Sequence, residues 1–343
     1  MSERALHTLR ATPETCFWGF FDRALPPVLT VRSGDLIEIE TLTHQAGDAP
    51  DLLMDDGVRA VYAGIPPARR GPGVHVMTGP VAVEGARKGD TLEVRILSMA
   101  PRLPYGTNIG AWWGYLYEDF KKERITIYRV DVATGVARAE FGYDYRHSPR
   151  YDAPGTLIPP ERTERTPALP GVLVPLRPHF GVAGVAPAES GKVNSIPPAD
   201  FGGNVDNRRF GPGTAMYYPV HNDGALFFIG DPHMAEGDGE LSGTAIESSA
   251  NATIQLTVRR DVRTDSPLLE TPTHWYVHGF GADLDEAMRQ AARRMLDLLE
   301  RRGLSRDDAY SLVSVAGDFG ITQVVDQRMG IHCGIPKGVF PPR

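Results

Sequence analysis

Acidic residues and one histidine are concentrated in residues 230–248, GDPHMAEGDGELSGTAIES, directly after the apolar stretch GALFFI. Asp231 and His233 are two residues apart, so in an extended chain both side chains leave the same face of the strand. Carboxylate oxygens and imidazole nitrogens together are typical ligands of Zn²⁺ and similar divalent ions. The spacing therefore makes a metal site at the end of a buried strand one interpretation of this stretch.

More oxygen ligands follow a glycine-rich turn. Gly237 and Gly239 would let the backbone bring them back towards Asp231. The residues concerned are Asp238, Glu240 and Glu247, with Asp206 in GGNVDNRR offering another from a neighbouring loop. Asp and Gly are also common in ordinary turns between strands. Spacing alone therefore leaves metal binding and turn formation as open alternatives.

The elements that must position these residues are mostly strands. LIEIE and TLEVRI alternate apolar and polar residues, which is the period of a strand with one buried face. The 37 glycines and 29 prolines suit many short strands joined by turns. We predict a mainly β fold, sandwich-like or barrel-like and α+β overall. The similar segments 30–44 and 80–99, each with a central Gly-Asp turn, predict two similar hairpins.

Two helices are predicted near the C-terminus, over 283–302 and 306–315. Asp283 and Ser305 precede them as N-cap residues, and apolar residues follow with helical spacing. The chain divides into a β-rich part, 1–143, an irregular loop or linker, 144–170, and a second β-rich part, 171–343. The linker is rich in Pro and Arg, and the second β-rich part carries the acidic motif and both helices.

Composition restricts the partners and the location. The formal net charge is −7 and no basic block is present, so nucleic acid is not an expected partner. No run of eighteen apolar residues predicts a membrane span. The N-terminal stretch MSERALHTLRATPE lacks an apolar signal region, and Cys16 and Cys333 make no disulfide framework. We expect a cytoplasmic protein.

Several long motifs, in the same order, resemble the acetamidase/formamidase family. They lie in residues 17–35, 75–97, 175–187, 195–209 and 224–247 and in the terminal stretches GDFGITQVVD and IPKGVF. The resemblance implies a hydrolase of small linear amides such as formamide or acetamide, which releases ammonia and a carboxylate. It also implies a β-rich homo-oligomer with a divalent metal at its site, zinc first and calcium second.

The resemblance also implies roles for individual residues, carried over by motif. The implied metal ligands are Asp206, Asp231, His233 and Glu247. Glu240 is the predicted general base, and Asp238 is the alternative catalytic carboxylate. The candidates for the substrate pocket are His75, Trp18, Trp112 and Trp113, with burial in the core as the alternative interpretation of each tryptophan.

The sequence departs from the family pattern in three places. The 144–170 loop is longer and more basic, TNIGAWWGYLYEDF (107–120) is a loose match, and His179 stands where an apolar residue is commoner. The identity of the amide therefore stays open, and a larger or ring-substituted amide is one alternative. A second alternative is a binding protein without turnover, in which the acids hold a structural Ca²⁺ ion.

Overall fold

The structure, a computed structural model, describes residues 4–145 and 154–341. The strands in these ranges are β1 Leu6–Leu9, β2 Cys16–Trp18, β3 Phe20–Phe21, β4 Leu29–Val31, β5 Leu36–Thr41, β6 Val76–Val83, β7 Thr91–Pro101, β8 Tyr105–Gly110, β9 Glu123–Asp131, β10 Val136–Tyr145, β11 Val174–Pro175, β12 His179–Val185, β13 Val193–Asn194, β14 Gly202–Asn204, β15 Ala215–Pro219, β16 Phe227–His233, β17 Ala250–Arg259, β18 Leu268–Glu270, β19 His274–Gly281, β20 Asp318–Ile321 and β21 Met329–Pro336. The helices are α1 Pro50–Leu53, α2 Asp56–Gly64, α3 Leu284–Glu300 and α4 Arg306–Ala316.

Two large sheets face each other across the main core, which confirms the mainly β, sandwich-like fold. One has nine strands in the order β1-β5-β17-β7-β15-β18-β19-β21-β20, and the other is β14-β12-β16-β6-β2 with β4 alongside β6. Apolar side chains from β5, β7 and β17 pack against those from β6, β12 and β16. Burying these apolar faces against each other is what holds two sheets together.

A smaller antiparallel sheet, β11-β10-β9-β8, adjoins this sandwich. Its apolar face and the helices α1 and α2 share a second core that includes Ile125, Ile127 and Val58. The nine-stranded sheet combines strands from both sides of the predicted linker at 144–170. Residues 146–153 of that linker lie outside the described residues. The division of the chain at this linker stays a prediction.

The two similar hairpins predicted at 30–44 and 80–99 are wrong. The strands form, but β4 pairs with β6 in parallel, while β5 pairs with β1 and β17. Strand β7 pairs with β15 and β17, so it lies in the opposite sheet from β6. The Gly-Asp turns connect the two facing sheets, because an alternating pattern specifies the buried face of a strand and not its neighbour.

The helices α1 and α2 interrupt a region that the sequence pattern assigned to strands. The Asp55 carboxylate accepts a hydrogen bond from the Val58 N–H at 2.9 Å and so caps α2. Val58, Val61 and Tyr62 are buried at the spacing of one helical face. This helical pattern spans only nine residues, and the sequences on either side of it have the alternation of strands, so the helix was not predicted.

The predicted helical pair near the C-terminus is confirmed as α3 and α4. The Asp283 carboxylate accepts from the Glu286 N–H at 2.8 Å, and the Ser305 hydroxyl accepts from the Asp308 N–H at 3.1 Å. Helix α3 packs its apolar face on β19 and β21. Among the described helices, none combines the length and the apolar character that a membrane span requires.

The contact between α3 and β19 depends on Gly279. A Cβ at this position would collide with the Ala287 carbonyl oxygen and lie 2.5 Å from the Ala291 nitrogen. We expect Gly279→Ala to destabilise the protein by about 1–3 kcal/mol, because helix backbone must move to admit the methyl group. The urea midpoint of unfolding measures this change.

Gly338→Ala is the matched control, since a Cβ at Gly338 meets no atom within 4 Å among the described residues. Its free energy of unfolding should be unchanged or higher by up to about 1 kcal/mol, through the lower entropy of the unfolded chain. Equal midpoints for Gly279→Ala and the wild type would contradict the close approach of helix and strand.

Candidate functional site

The centre of the site is the end of β16, where Asp231 and His233 lie side by side. Asp231 is 4% exposed and His233 is completely buried. Asp231 Oδ2 is 3.1 Å from His233 Nε2. The two side chains therefore lie next to each other, as their spacing in the sequence predicts.

Three more of the predicted acids converge on the same imidazole. Glu247 Oε2 lies 3.3 Å from His233 Nε2. Asp206, Glu240 and His233 each have one potential ligand atom, and these three atoms all lie within 4.8 Å of one another. The structure thus places the predicted ligands and the predicted general base around His233 in two groups, Asp231–His233–Glu247 and Asp206–His233–Glu240.

Gly181 on the neighbouring strand β12 makes room for this convergence. A Cβ at Gly181 would collide with Asp206 Oδ1 and lie 2.6 Å from Asp231 Oδ2 and 2.7 Å from His233 Cε1. Three ligand-bearing side chains from two different chain segments therefore approach one point beside the β12 backbone. A larger residue at position 181 would occupy the space in which they meet.

Several carboxylate oxygens in this cluster have no hydrogen-bond partner among the described residues. They are both oxygens of Asp206, Oδ1 of Asp231 and Oε2 of Glu247. An unpaired carboxylate removed from water costs several kcal/mol unless a cation or a donor compensates it. Carboxylate oxygens with one imidazole nitrogen are a donor set for a divalent ion. The residues present therefore fit a metal site.

The pKa shifts of the buried acids reflect the same crowding of negative charge. Burial, reinforced by the charges of Glu240 and Asp326, holds the pKa of Asp206 well above its usual range. Burial, reinforced by Asp231, raises the pKa of Glu247 to about 7. For Asp231 burial acts in the same direction, but the nearby His75 and His233 outweigh it and lower its pKa. Positive charge is what this cluster requires.

The backbone is strained at the same place. Among the described residues, seven that are not glycine have positive φ, and three of them are Asp206 at 49°, Asp231 at 53° and Glu240 at 45°. Such conformations cost about 1–3 kcal/mol each and persist where the surrounding structure enforces them. All three residues contribute a carboxylate to the groups around His233, so the positive φ values coincide with the site.

Behind His233, its other ring nitrogen meets two residues that the sequence did not single out as site residues. His179 lies opposite His233 in the β12–β16 register. Glu236 Oε2 is 3.2 Å from His233 Nδ1 and 2.7 Å from His179 Nε2. His179 Nδ1 donates to the Arg177 carbonyl at 2.6 Å. Glu236 Oε2 and, at 3.1 Å, His179 Nε2 both lie within hydrogen-bond distance of His233 Nδ1. Nε2 faces Asp231 and Glu247 instead, so it is the ring nitrogen placed to bind a metal ion.

A cavity of about 400 Å³ opens beside the cluster. Asp231, Glu240 and Glu247 line it. Of the residues predicted for the substrate pocket, His75, Trp112 and Trp113 also line it. Trp18 does not, because its ring is buried against Tyr62 at 4.8 Å between centroids and beneath the Arg70 guanidinium at 3.9 Å.

Asp238 is not brought into the cluster. Its carboxylate pairs with Arg208 Nε at 2.7 Å and with Arg209 Nη1 at 3.3 Å. Asp238 lines a second cavity of about 860 Å³, which shares Glu240 and Thr244 with the first. The acid two residues before Glu240 is thus held by arginines, although both acids share one glycine-rich loop.

Two further lining residues were missed, His44 and Asp326. His44 packs its ring edge-on to His75 at 5.2 Å, and burial lowers its pKa to about 3. His44, His75 and Asp231 form another group of candidate ligands within 4.8 Å. Asp326 is the last residue of the motif GDFGITQVVD, so the family resemblance of that motif could have identified it. Nothing in the sequence pattern identified His44 except its position shortly after β5.

The contact between Glu236 and His233 predicts an effect on metal affinity. Glu236→Gln removes the negative charge 3.2 Å from His233 Nδ1, so the imidazole loses part of its fixed orientation and of its basicity. We expect the dissociation constant for Zn²⁺ to rise about 10–100-fold. Competition with a chromophoric chelator measures this constant.

Asp238→Asn is the control, since it neutralises an acid of the same loop whose carboxylate pairs with arginines. It should bind Zn²⁺ like the wild type, and both variants should show the circular dichroism of the wild type. An unchanged Zn²⁺ affinity in Glu236→Gln would show that Glu236 does not orient His233.

Comparison with known proteins shows which family this chain resembles over most of its length. The model of the Acetamidase/Formamidase family matches residues 14–192 and 188–341. The chain is 26% identical over 364 residues to the formamidase of Methylophilus methylotrophus, an alignment that covers 88% of this chain and 84% of that protein. It is 28% identical over 251 residues to the acetamidase of Mycolicibacterium smegmatis, covering 64% of this chain and 59% of the relative.

Solved structures agree. The crystal structure of an acetamidase from Bacillus halodurans matches with a TM-score of 0.77 and 27% identity, over 97% of this chain and 98% of the other. An acetamidase from Yersinia enterocolitica has the same fold, with a TM-score of 0.79, 24% identity and coverage of 99% and 94%. Since the family match spans most of the chain and includes every acid around His233, this protein belongs to the acetamidase/formamidase family of amide hydrolases.

Proposed function

We propose that this protein hydrolyses small linear amides of the formamide and acetamide type to ammonia and a carboxylate, with a divalent metal ion bound at His233. One observation carries the proposal: buried carboxylate oxygens without partners among the described residues surround one imidazole beside a cavity. The relatives named formamidase and acetamidase support the substrate class.

Asp206, Asp231, His233 and Glu247 would hold the ion. A divalent ion bound there supplies Lewis acidity, which makes a water molecule more acidic and polarises the amide carbonyl. The imidazole favours zinc, and the predominance of carboxylates makes calcium the second candidate. Asp231 and Glu247 also line the cavity, so the ligands face the space in which an amide would bind.

Glu240 is the general base in this proposal. Its carboxyl group is buried and lines the cavity, and burial together with the charges of Asp326 and Glu236 raises its pKa well above the usual range. Glu240 takes a proton from the attacking water as the new C–O bond forms. It returns a proton to the nitrogen as the C–N bond breaks and ammonia leaves. The arginine pairs of Asp238 support Glu240 over Asp238 in this role.

The proposal includes a cytoplasmic homo-oligomer that binds neither nucleic acid nor membranes. Large apolar side chains are exposed in residues 112–120, among them Tyr117 at 54% and Phe120 at 60%. Exposed apolar surface of this kind supports association with another copy of the chain.

Removal of the metal is the direct test. We expect ammonia release from formamide and acetamide to stop after dialysis against a chelator and to return when Zn²⁺ or Ca²⁺ is added. Activity that survives complete removal of metal, as measured by elemental analysis, would overturn the metal-supported mechanism. Tight binding of the ion without any turnover would instead favour a structural calcium site.

Glu240→Gln tests the base. The variant keeps the shape of the side chain but cannot accept the proton, so kcat should fall about 10²–10⁴-fold while the metal content stays that of the wild type. Asp238→Asn, which changes the neighbouring acid in the same loop, should keep most of the turnover. Near-normal turnover of Glu240→Gln would remove Glu240 from this role.

A further inference from the structure

The cavity beside His233 is larger than formamide or acetamide requires. Its volume is about 400 Å³. A water molecule has a share of about 30 Å³ in the liquid, so the four heavy atoms of acetamide take on the order of 100 Å³. A metal ion and one water take roughly 60 Å³ more by the same measure. More than half of the cavity is therefore left for a larger substrate group.

The surface that lines this remaining space is mainly apolar. Asp231, Glu240, Glu247 and Asp326 of the His233 cluster line the cavity, together with polar residues that include Gln45, Asn204 and Gln327. The apolar residues of the lining are Val74, Trp112, Trp113, Ile196 and Val325. A substrate with an apolar acyl group would bury that group against these side chains, whereas the methyl group of acetamide would leave most of them uncovered.

Trp112 and Trp113 provide a surface suited to a flat ring. Their ring centroids are 5.4 Å apart with an interplanar angle of 76°, so the two indoles form an edge-to-face corner. Aromatic rings pack favourably in offset and edge-to-face arrangements at such distances. A phenyl ring can therefore contact both indoles at once.

Trp113 lies close to the loop that carries the reacting Glu240. A Cβ at Gly243 would lie 2.6 Å from Trp113 Cδ1, so Trp113 packs directly on the loop that carries Glu240. The Tyr115 N–H donates to the Leu241 carbonyl at 2.9 Å and joins the two segments again. An acyl group held by the indoles would thus have a defined position with respect to Glu240.

We infer that the site selects amides with an apolar acyl group about the size of a phenyl ring, such as phenylacetamide, over formamide and acetamide. This inference rests on the proposed amide hydrolysis and specifies its substrate class. The apolar walls add binding in the transition state that a methyl group cannot provide.

The test measures kcat/KM by ammonia release from formamide, acetamide, butyramide and phenylacetamide with the metal-loaded protein. We expect the values to rise along this series, with phenylacetamide at least about 100-fold above acetamide. A maximum at formamide or acetamide would overturn the inference and leave the proposed function standing. Absence of ammonia from all four amides would overturn the proposed function and the inference with it.

Variants of the wall make the test specific. Trp112→Ala and Trp113→Ala should each lower the ratio of kcat/KM for phenylacetamide to that for acetamide at least about tenfold. Trp112 is 41% exposed, so its replacement tests the inference even if Trp113→Ala fails to fold. The control is Tyr310→Ala, an exposed aromatic residue on α4 that lies outside the cavity lining. A ratio that changes equally in all three variants, or in none, would overturn the inference.

Discussion

The burial of many carboxyl groups around one imidazole is the constraint on which this structure depends. Within the part of the chain that the structure describes, His233 has six buried acids as neighbours, namely Asp206, Asp231, Glu236, Glu240, Glu247 and Asp326. An ionised carboxylate taken out of water costs several kcal/mol unless it is paired, and a single imidazole cannot pair six. Burial raises the pKa of Asp326 and of Glu247 to about 7, so bound protons neutralise part of this negative charge. A divalent cation would neutralise it with more charge in less space.

Only a stiff framework can hold like charges this close together, and here it comes from several sheets at once. Strand β16 carries Asp231 and His233, and its neighbour β12 contributes Gly181. Glu247 is held from the small sheet, because its N–H donates to the Thr107 carbonyl at 2.8 Å and its carbonyl accepts from the Thr107 N–H at 2.9 Å. The backbones that carry Asp231, His233 and Glu247 therefore cannot separate without breaking these pairings.

The sequence pattern predicted the part of this site whose residues lie close together along the chain. Asp231 and His233 belong to one strand, so spacing alone made a shared site plausible. His179 reaches the same imidazole only through the register of β12 against β16, which no single segment encodes. The two hairpins failed for the same reason, since alternation specifies a buried face and leaves the partner strand undetermined. Asp238 shows the converse: it shares a loop with Glu240, but the arginines from 208–209 hold it elsewhere.

In the proposed function, chemistry and selectivity depend on different segments of the chain. The acids lie in the motifs that resemble the family most clearly, whereas the two indoles lie in 107–120, where the resemblance is loose. The two parts meet at Thr244, whose hydroxyl accepts hydrogen bonds from the Asn108 side chain at 2.9 Å and from the Ile109 N–H at 2.8 Å. Changes within 107–120 can thus reshape the cavity without replacing an acid. They are limited by these hydrogen bonds, because the segment they anchor is continuous with the strained backbone that presents Glu240.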